Sequence, residues 1–341
     1  MAVYSGRLSL ERCGNDLQKI LDEEGVLSMC MISIIVPCYN EQEAIPAYYE
    51  AIVPVMESME AVRFEVIFID DGSCDASLTL MRQLADRDKR IKYLSFSRNF
   101  GKEAALCAGL EHAEGDYVAV MDVDLQDPVE LLPEMFAKIQ SPDCDCVAAK
   151  RGDRKGEGRI RSMLSNAFYY VINKISQTEI VSGARDYRLM TRQMVDAVLK
   201  MQEYNRFSKG IFGWVGFRTE WIEYDNVERC AGQTKWSLFD LLRYSLEGIT
   251  GFSVLPLSLA SFIGLVFCLL SICGIGFIVT RKLIFDDPVQ GWTSLVCIIF
   301  LVSGVQLFCI GIMGEYLAKT YLESKRRPIY IIRESSEVKR S

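Results

Sequence analysis

The chain has 341 residues, 50% of them apolar and 24% charged, which is enough to bury a sizeable core and, by length, makes about two domains. Its formal net charge of -7 is the reverse of the basic excess that a nucleic-acid binder concentrates on one face, so no nucleic-acid partner is expected. Twelve cysteines are scattered without a C-x-x-C pair and four fall in long apolar runs, which fits reduced thiols better than a disulfide framework.

Residues 1–30 carry scattered charge and no strand signal. Met29 and Met31 directly precede the first strand, which leaves the start codon open, and the extension is assigned no function. From Met31 to about residue 150, β-branched apolar runs alternate with helix-period segments. The strand "ISIIVP" is followed by a helix over about 43–59, and "FEVIFID", "IKYLSF" and "YVAVMD" by helices near 74–86 and 101–112. Strict alternation of this kind predicts a parallel sheet covered by helices on both faces. Cys144 and Cys146 alternate along a further strand and read as packing residues rather than ligands.

In such a sheet ligands bind beyond the carboxyl ends of the strands. Those exits read "PCYNE", "DDGSCD", "SRNFGK" and "DVDLQDP". No G-x-G-x-x-G follows a strand and no G-x-x-x-x-G-K-[ST] occurs, so a nucleotide pocket has to be built another way. The fourth exit brings Asp122, Asp124 and Asp127 together within six positions. Carboxylates that close resist full ionisation unless a positive charge sits among them, and a metal ion is the expected guest. Hard cations take oxygen ligands, and Mg²⁺ is usually held by one or two carboxylates plus substrate phosphates. A calcium loop would need Gly at its sixth position and Glu at its twelfth, where this chain has Asp127 and Pro133. Asp127 with Pro128 reads as a helix start, and "DDGSCD" is equally a turn, with Ser73 or Asp75 as a cap. Lys102 follows Gly101 at a helix N-terminus, where it is either a donor-phosphate ligand or a surface lysine. The single histidine, His112, assembles no centre.

Beyond residue 150 come a Gly-rich basic segment, "RGDRKGEGRIR", a helix near 160–176, "SGARDYRLM", and a strand over 217–224. "SLFDLLRYSLEGITGF" sets Leu238, Leu241, Leu242, Leu246 and Ile249 on one helical face. This is read as a helix lying in the membrane interface, with packing on the soluble domain as the alternative. Two uncharged stretches follow, one between Glu247 and Arg281 and one from Pro288 to Gly314. A bilayer-spanning helix needs roughly 20 mostly apolar residues, so both qualify. Arg243 on one flank and Lys319, Lys325, Arg326 and Arg327 on the other put both flanks in the cytoplasm by the positive-inside rule, making the pair a hairpin.

"PCYNE", "DDGS" and "DVDLQDP", together with two C-terminal membrane helices, resemble the inverting family 2 glycosyltransferases of the polyprenyl-phosphate type. These include dolichyl-phosphate mannose synthases and, with greater similarity, bacterial bactoprenol glucosyltransferases. The resemblance covers about Met31 to Arg327. It implies an α/β fold with a GT-A-like, nucleotide-binding, mostly parallel sheet. Expected boundaries are 1–30 for the extension, 31–230 for the cytoplasmic catalytic domain and 231–251 for the juxtamembrane helix. Residues 252–318 would hold two transmembrane helices, about 252–280 and 292–314, and 319–341 a cytoplasmic tail. By the same resemblance Pro37, Tyr39 and Glu41 line the nucleoside pocket, and Asp70 or Asp71 contacts base or ribose. Asp122 and Asp124 hold Mg²⁺ or Mn²⁺ on the donor diphosphate with Gln126 nearby, and Asp186 of "GARDYRL" is the catalytic base.

The implied reaction moves one sugar, glucose by resemblance, from a UDP-sugar to polyprenyl (undecaprenyl) phosphate at the cytoplasmic face of the inner membrane. The protein would be a multi-pass membrane enzyme and, again by resemblance, a homotetramer. A phosphate monoester has its second pKa near ~6, so a lipid-phosphate acceptor is largely ionised at neutral pH and needs little proton removal. A dianion approaching a diphosphate needs positive charge instead. Arg151, Arg154, Arg206, Arg229 and Lys235 are the candidates for the acceptor phosphate, with Lys155, Arg159 and Arg161 beside them; a solvated flap is the alternative for the basic loop. Asp186 is accordingly expected to orient a cation such as Arg188 or Arg206 as much as to take a proton. "GQTKW" is only faintly similar to the Q-x-x-R-W of processive synthases, because only two residues separate Gln233 from Trp236 and there is no Arg. Two readings compete with this one: a protein or glycan acceptor on the same fold, and a catalytically silent membrane scaffold.

Overall fold

A computed structural model of the protein describes residues 30–151, 184–224, 255–285 and 291–336. Its strands are β1 (Cys30–Cys38), β2 (Val62–Asp70), β3 (Ile91–Phe96), β4 (Tyr117–Val120), β5 (Cys146–Arg151), β6 (Ala184–Thr191), β7 (Thr219–Tyr224) and β8 (Ile332–Ser335). They form one mixed sheet in the order β7-β5-β6-β4-β1-β2-β3-β8. The first four strands are mutually parallel. From β1 the chain steps outward through β2 to β3, then returns to lay β4 on the other side of β1. The crevice between β1 and β4 is therefore a topological switch point, where open α/β sheets bind ligands.

Period-2 alternation sorts the strand side chains to two faces. Ile32, Ile34 and Val36 of β1 and Phe64, Val66 and Phe68 of β2 pack beneath helices α1 (Ala44–Ser58), α2 (Ser77–Arg87) and α4 (Leu132–Ile139). Ile35, Ile67 and Ile69 face the opposite side, against α3 (Lys102–His112), α5 (Arg192–Leu199) and α6 (Ser208–Trp214). Both faces are covered, and so these strands read as continuous apolar runs. Cys144 and Cys146 are buried, one in each of the two cores.

Two strands depart from the expected pattern. Strand β6 runs antiparallel to both β4 and β5, pairing Val120 with Arg188 and Tyr117 with Thr191. The amino end of β6 thus lies beside the carboxyl end of β4, which a wholly parallel sheet would forbid. Strand β8 comes from the segment read as a tail and pairs antiparallel with β3. It is fixed by Glu334, which accepts from Arg82 Nε at 2.8 Å and Nη2 at 2.6 Å and from Tyr93 Oη at 2.8 Å. Tyr330 stacks on Phe96 with ring centroids 5.1 Å apart. A paired, charged, four-residue strand is a common way of closing a sheet edge against further pairing.

Helices α7 (Leu255–Phe285) and α8 (Trp292–Ser324) have 31 and 33 residues, and both are long and apolar enough to cross a membrane. Phe262, Phe277, Phe300 and Leu307 stand out from them with more than 60% of their surface exposed. Helix α8 continues ten residues past the expected end at Gly314, carrying Glu315, Lys319 and Glu323. Glu323 accepts from the backbone of Tyr204 at 2.8 Å, tying that extension to the segment between α5 and α6. The juxtamembrane segment 231–251 lies outside the described residues.

Close approach of α3 to β1 sets the height of the helix over the sheet. A Cβ on Gly109 would lie 2.2 Å from Ile35 Cγ2, and Ile35 is fully buried. Gly109→Val is expected to destabilise the protein by about 1–3 kcal/mol through overpacking, read as a lower Tm of the full chain in detergent.

Candidate active site

The first two strand exits are stitched together by reciprocal hydrogen bonds. Asn40 N–H donates to Ser73 Oγ at 3.0 Å, Glu41 N–H to Ser77 Oγ at 2.9 Å, and Cys74 N–H to Asn40 Oδ1 at 2.9 Å. Asp75 accepts from the backbone of Ser77 at 3.0 Å and of Gln42 at 3.2 Å, so it serves the turn, as the turn reading of this segment expects. Asn40 has a φ of 55°, a left-handed conformation that turns the chain and leaves Tyr39 41% exposed at the rim, with Pro37 and Glu41 half-buried on either side.

Asp70 and Asp71 lie behind this rim, with 0% and 4% of their surface exposed. Asp70 accepts from Ser73 N–H at 2.9 Å and from Ser95 Oγ at 2.7 Å. Asp71 accepts from Phe100 N–H at 2.6 Å and Gly101 N–H at 2.9 Å, which fixes the loop leading into α3. Burial pushes the Asp71 carboxyl up, and those two N–H donors act against the rise. Both oxygens of each carboxylate serve the protein's own donors, so the pair forms the wall of the pocket. Gly101, at φ 98°, makes the turn that delivers Lys102 as the first residue of α3.

Lys102 is the centre of the site. Its ammonium lies 2.7 Å from Asp122 Oδ1, beyond β4, and 2.5 Å from Asp186 Oδ2, near the start of β6. Side-chain exposures of 44% for Lys102, 29% for Asp122 and 19% for Asp186 leave the cluster open to an incoming group. Burial works against ionisation of Asp186, but Lys102, Lys209 and Arg188 outweigh it and hold the carboxyl well below the usual range. For Lys102 burial is likewise outweighed, by Asp122 and Asp186, and the ammonium stays protonated far above its ordinary pKa.

The expected partners of Asp186 are elsewhere. Arg188 is buried, its guanidinium 3.8 Å above the Phe212 ring, and it donates to the main-chain oxygens of Asp186 at 3.4 Å and Arg185 at 3.1 Å. Arg206 donates to the carbonyls of Met201 and Val198 at the end of α5, where a cation suits the helix terminus. The cation that Asp186 pairs with is Lys102, 84 positions away in sequence. Lys209 was not singled out by the sequence; it donates to the Ala184 carbonyl at 3.2 Å and supports Asp186 from α6. Glu103 accepts from Ser208 N–H at 2.9 Å, binding α6 to the start of α3.

The acidic run after β4 separates by role. Asp124 Oδ1 accepts from Gln126 N–H at 3.2 Å in the turn around Leu125, whose φ is 54°. Asp127 is buried and does not cap the following 3₁₀ turn (Val129–Leu131), which has no side-chain cap. It pairs with Arg185 Nε at 3.1 Å and accepts from Tyr224 Oη instead. Arg185 also donates to Gln126 Oε1 at 3.2 Å, so β6 braces the acidic turn. Arg185 stands beside Asp186 in "GARDYRL", yet nothing in that string reveals its partner, 58 positions upstream.

Arg151 closes β5, in register with Tyr224. Arg154, Arg229 and Lys235 lie outside the described residues. Among the described residues no three His, Cys, Asp or Glu side chains converge as a cage. The donor set still fits a divalent cation: Asp122 and Asp124 offer hard oxygens at an open strand exit, an arrangement that substrate phosphates can complete.

Comparison with known proteins gives this geometry a family. The model of "Glycosyl transferase family 2" matches residues 33–199. The chain is 43% identical over 302 residues to the "Prophage bactoprenol glucosyl transferase homolog" of Escherichia coli (strain K12), covering 89% of this chain and 98% of that protein. It is 43% identical over 306 residues to the "Bactoprenol glucosyl transferase" of Shigella phage SfV, covering 90% and 99%. Among solved structures, glucosyl-3-phosphoglycerate synthase from Mycobacterium tuberculosis, in complex with Mn²⁺, UDP-glucose and phosphoglyceric acid, matches with a TM-score of 0.44 and 19% identity, over 65% of this chain and 78% of that one. With 43% identity extending over nearly the whole of these relatives, the chain belongs to glycosyl transferase family 2 and is a glycosyltransferase.

Proposed function

We propose that the protein transfers one glucosyl group from UDP-glucose to undecaprenyl phosphate, with inversion, at the cytoplasmic face of the membrane. The relatives' names supply the glucosyl group and the bactoprenol acceptor, and UDP as the donor's carrier rests on resemblance. The observation that carries the reading is the cluster of Lys102, Asp122 and Asp186 at the switch point, a mixed-charge site suited to a nucleoside diphosphate. Strand β8 supports the topology. It follows the second long apolar helix yet pairs with β3 of the same sheet, so a hairpin that crosses the bilayer has both flanks on one side. That side is the cytoplasm by the charge of the flanks.

Each residue then has a role. Pro37, Tyr39 and Glu41 receive the nucleoside, and Asp70 and Asp71 hold the loops that shape its pocket. Asp122 and Asp124 would hold Mg²⁺ or Mn²⁺ on the donor diphosphate, where the ion serves as a Lewis acid for the leaving group. Lys102 donates to the diphosphate oxygens. The acceptor arrives as a phosphate monoester largely ionised at neutral pH. One of its oxygens bonds to the anomeric carbon as the bond from that carbon to the diphosphate breaks, and the electron pair leaves with UDP. No proton has to be removed, so Asp186 acts by orienting Lys102. Arg151, with Arg154, Arg229 and Lys235, is proposed for the acceptor phosphate, whereas Arg206 serves the end of α5. The homotetramer is proposed on resemblance alone.

With radiolabelled UDP-glucose and undecaprenyl phosphate, label is expected in the organic phase only when the lipid is present. Chelation with EDTA should abolish it, and Asp124→Ala should lower kcat by about 10²- to 10³-fold through loss of electrostatic stabilisation of the leaving group. Label appearing in protein or glycan, or full-rate transfer in EDTA, would overturn the reading.

The pH profile separates an orienting Asp186 from a base. Because its folded pKa is depressed, Asp186 stays ionised from alkaline pH down through the usual carboxylate range and loses its ion pair only in stronger acid. The acid limb of kcat/KM for the acceptor should therefore sit near ~6, where the phosphate monoester gains its proton. Asp186→Asn is expected to lower the plateau without moving that limb. Recovery of the variant's activity at high pH would point to a base instead.

A further inference from the structure

One ammonium joins three elements: Lys102 opens α3, Asp122 follows β4 and Asp186 lies near the start of β6. One of the two Asp122 carboxylate oxygens, Oδ1, is thus already paired, at 2.7 Å, with a cation tethered to the protein. We propose that Lys102 is an internal counter-ion that keeps Asp122 closed to a divalent cation arriving alone. It yields that carboxylate when metal and nucleoside diphosphate arrive together. The inference rests on the metal reading of Asp122 and Asp124.

Three observations support the exchange. A dication approaching Asp122 meets an ammonium 2.7 Å from one of its oxygens, and the two like charges repel in a site only partly open to water, which favours displacement of the ammonium. Lysine is suited to moving: its charge rides on a flexible four-carbon stem, and here 44% of the side chain is exposed. Asp186 would not be stranded by the movement, since Lys209 and Arg188 lie close enough to depress its pKa alongside Lys102. A diphosphate brings what the exchange lacks, namely oxygens to complete the metal's coordination and an anion for the displaced ammonium. By linkage, each ligand then raises the affinity of the other by the same factor.

Mn²⁺ binding is measured on the full chain in detergent, by the electron paramagnetic resonance signal of free Mn²⁺, with and without UDP. Lys102→Met and Lys102→Gln are expected to bind Mn²⁺ alone about fivefold more tightly than the wild type, the effect of removing one partly exposed charge. Their rise in Tm on adding Mn²⁺ should also be larger, and the gain in Mn²⁺ affinity caused by UDP smaller. Lys102→Arg keeps the charge and should retain weak binding of Mn²⁺ alone. A merely structural Lys102 would lower Tm in the neutral variants without tightening Mn²⁺, and that result overturns the inference. If the wild type binds Mn²⁺ with UDP while both neutral variants leave the affinity for Mn²⁺ alone unchanged, only the counter-ion role fails. If no protein binds Mn²⁺ even with UDP, the metal reading fails with it.

Discussion

Asp122, Asp124, Asp127 and Asp186 are delivered by two neighbouring strands, β4 and β6, to one end of the sheet, and their mutual repulsion governs the arrangement around them. The protein answers in two ways. Asp127 is buried, paired with the Arg185 guanidinium and hydrogen-bonded by Tyr224 Oη, which makes it part of the framework. Asp122 and Asp186 share a lysine that remains partly in solvent. Fixed pairing supplies rigidity beside the site, and exchangeable pairing supplies the place where charged substrates can enter.

This convergence depends on strand direction. Asp122 leaves β4 at its carboxyl end, whereas Asp186 lies near the amino end of β6, and only antiparallel pairing brings those ends together. The strand on the far side of β1 contributes differently. Asp71, beyond β2, holds the Phe100 and Gly101 amides and so aims the first residue of α3 at the acidic cluster. Four elements, β2, α3, β4 and β6, meet at one ammonium or at the loop presenting it.

The parallel half was legible in the sequence because β1 to β4 are buried on both faces and announce themselves as apolar runs ending in turns. The predicted helix over 43–59 is found at Ala44–Ser58 and that over 101–112 at Lys102–His112. Strand β6 was missed because its site end, "ARD", carries two charged residues in succession and hides the alternation that marks a strand. Strand β8 was missed because "IRES" is short, charged and stabilised by pairing with β3, whose sequence lies more than 200 residues upstream. Residue type alone also misled at Arg206, where a guanidinium read as a phosphate ligand serves helix carbonyls. The acidic residues could be located from the string "DVDLQDP", but their partners could not, since pairing is a property of the folded chain.

The return of the chain from α8 to the sheet makes the hairpin an insertion within one folded body rather than an appendage at its end. A temporal order follows as well. Residues 332–335 emerge from the ribosome only after both apolar helices, so the rim of the sheet beside β3 is sealed only once the two helices have been synthesised.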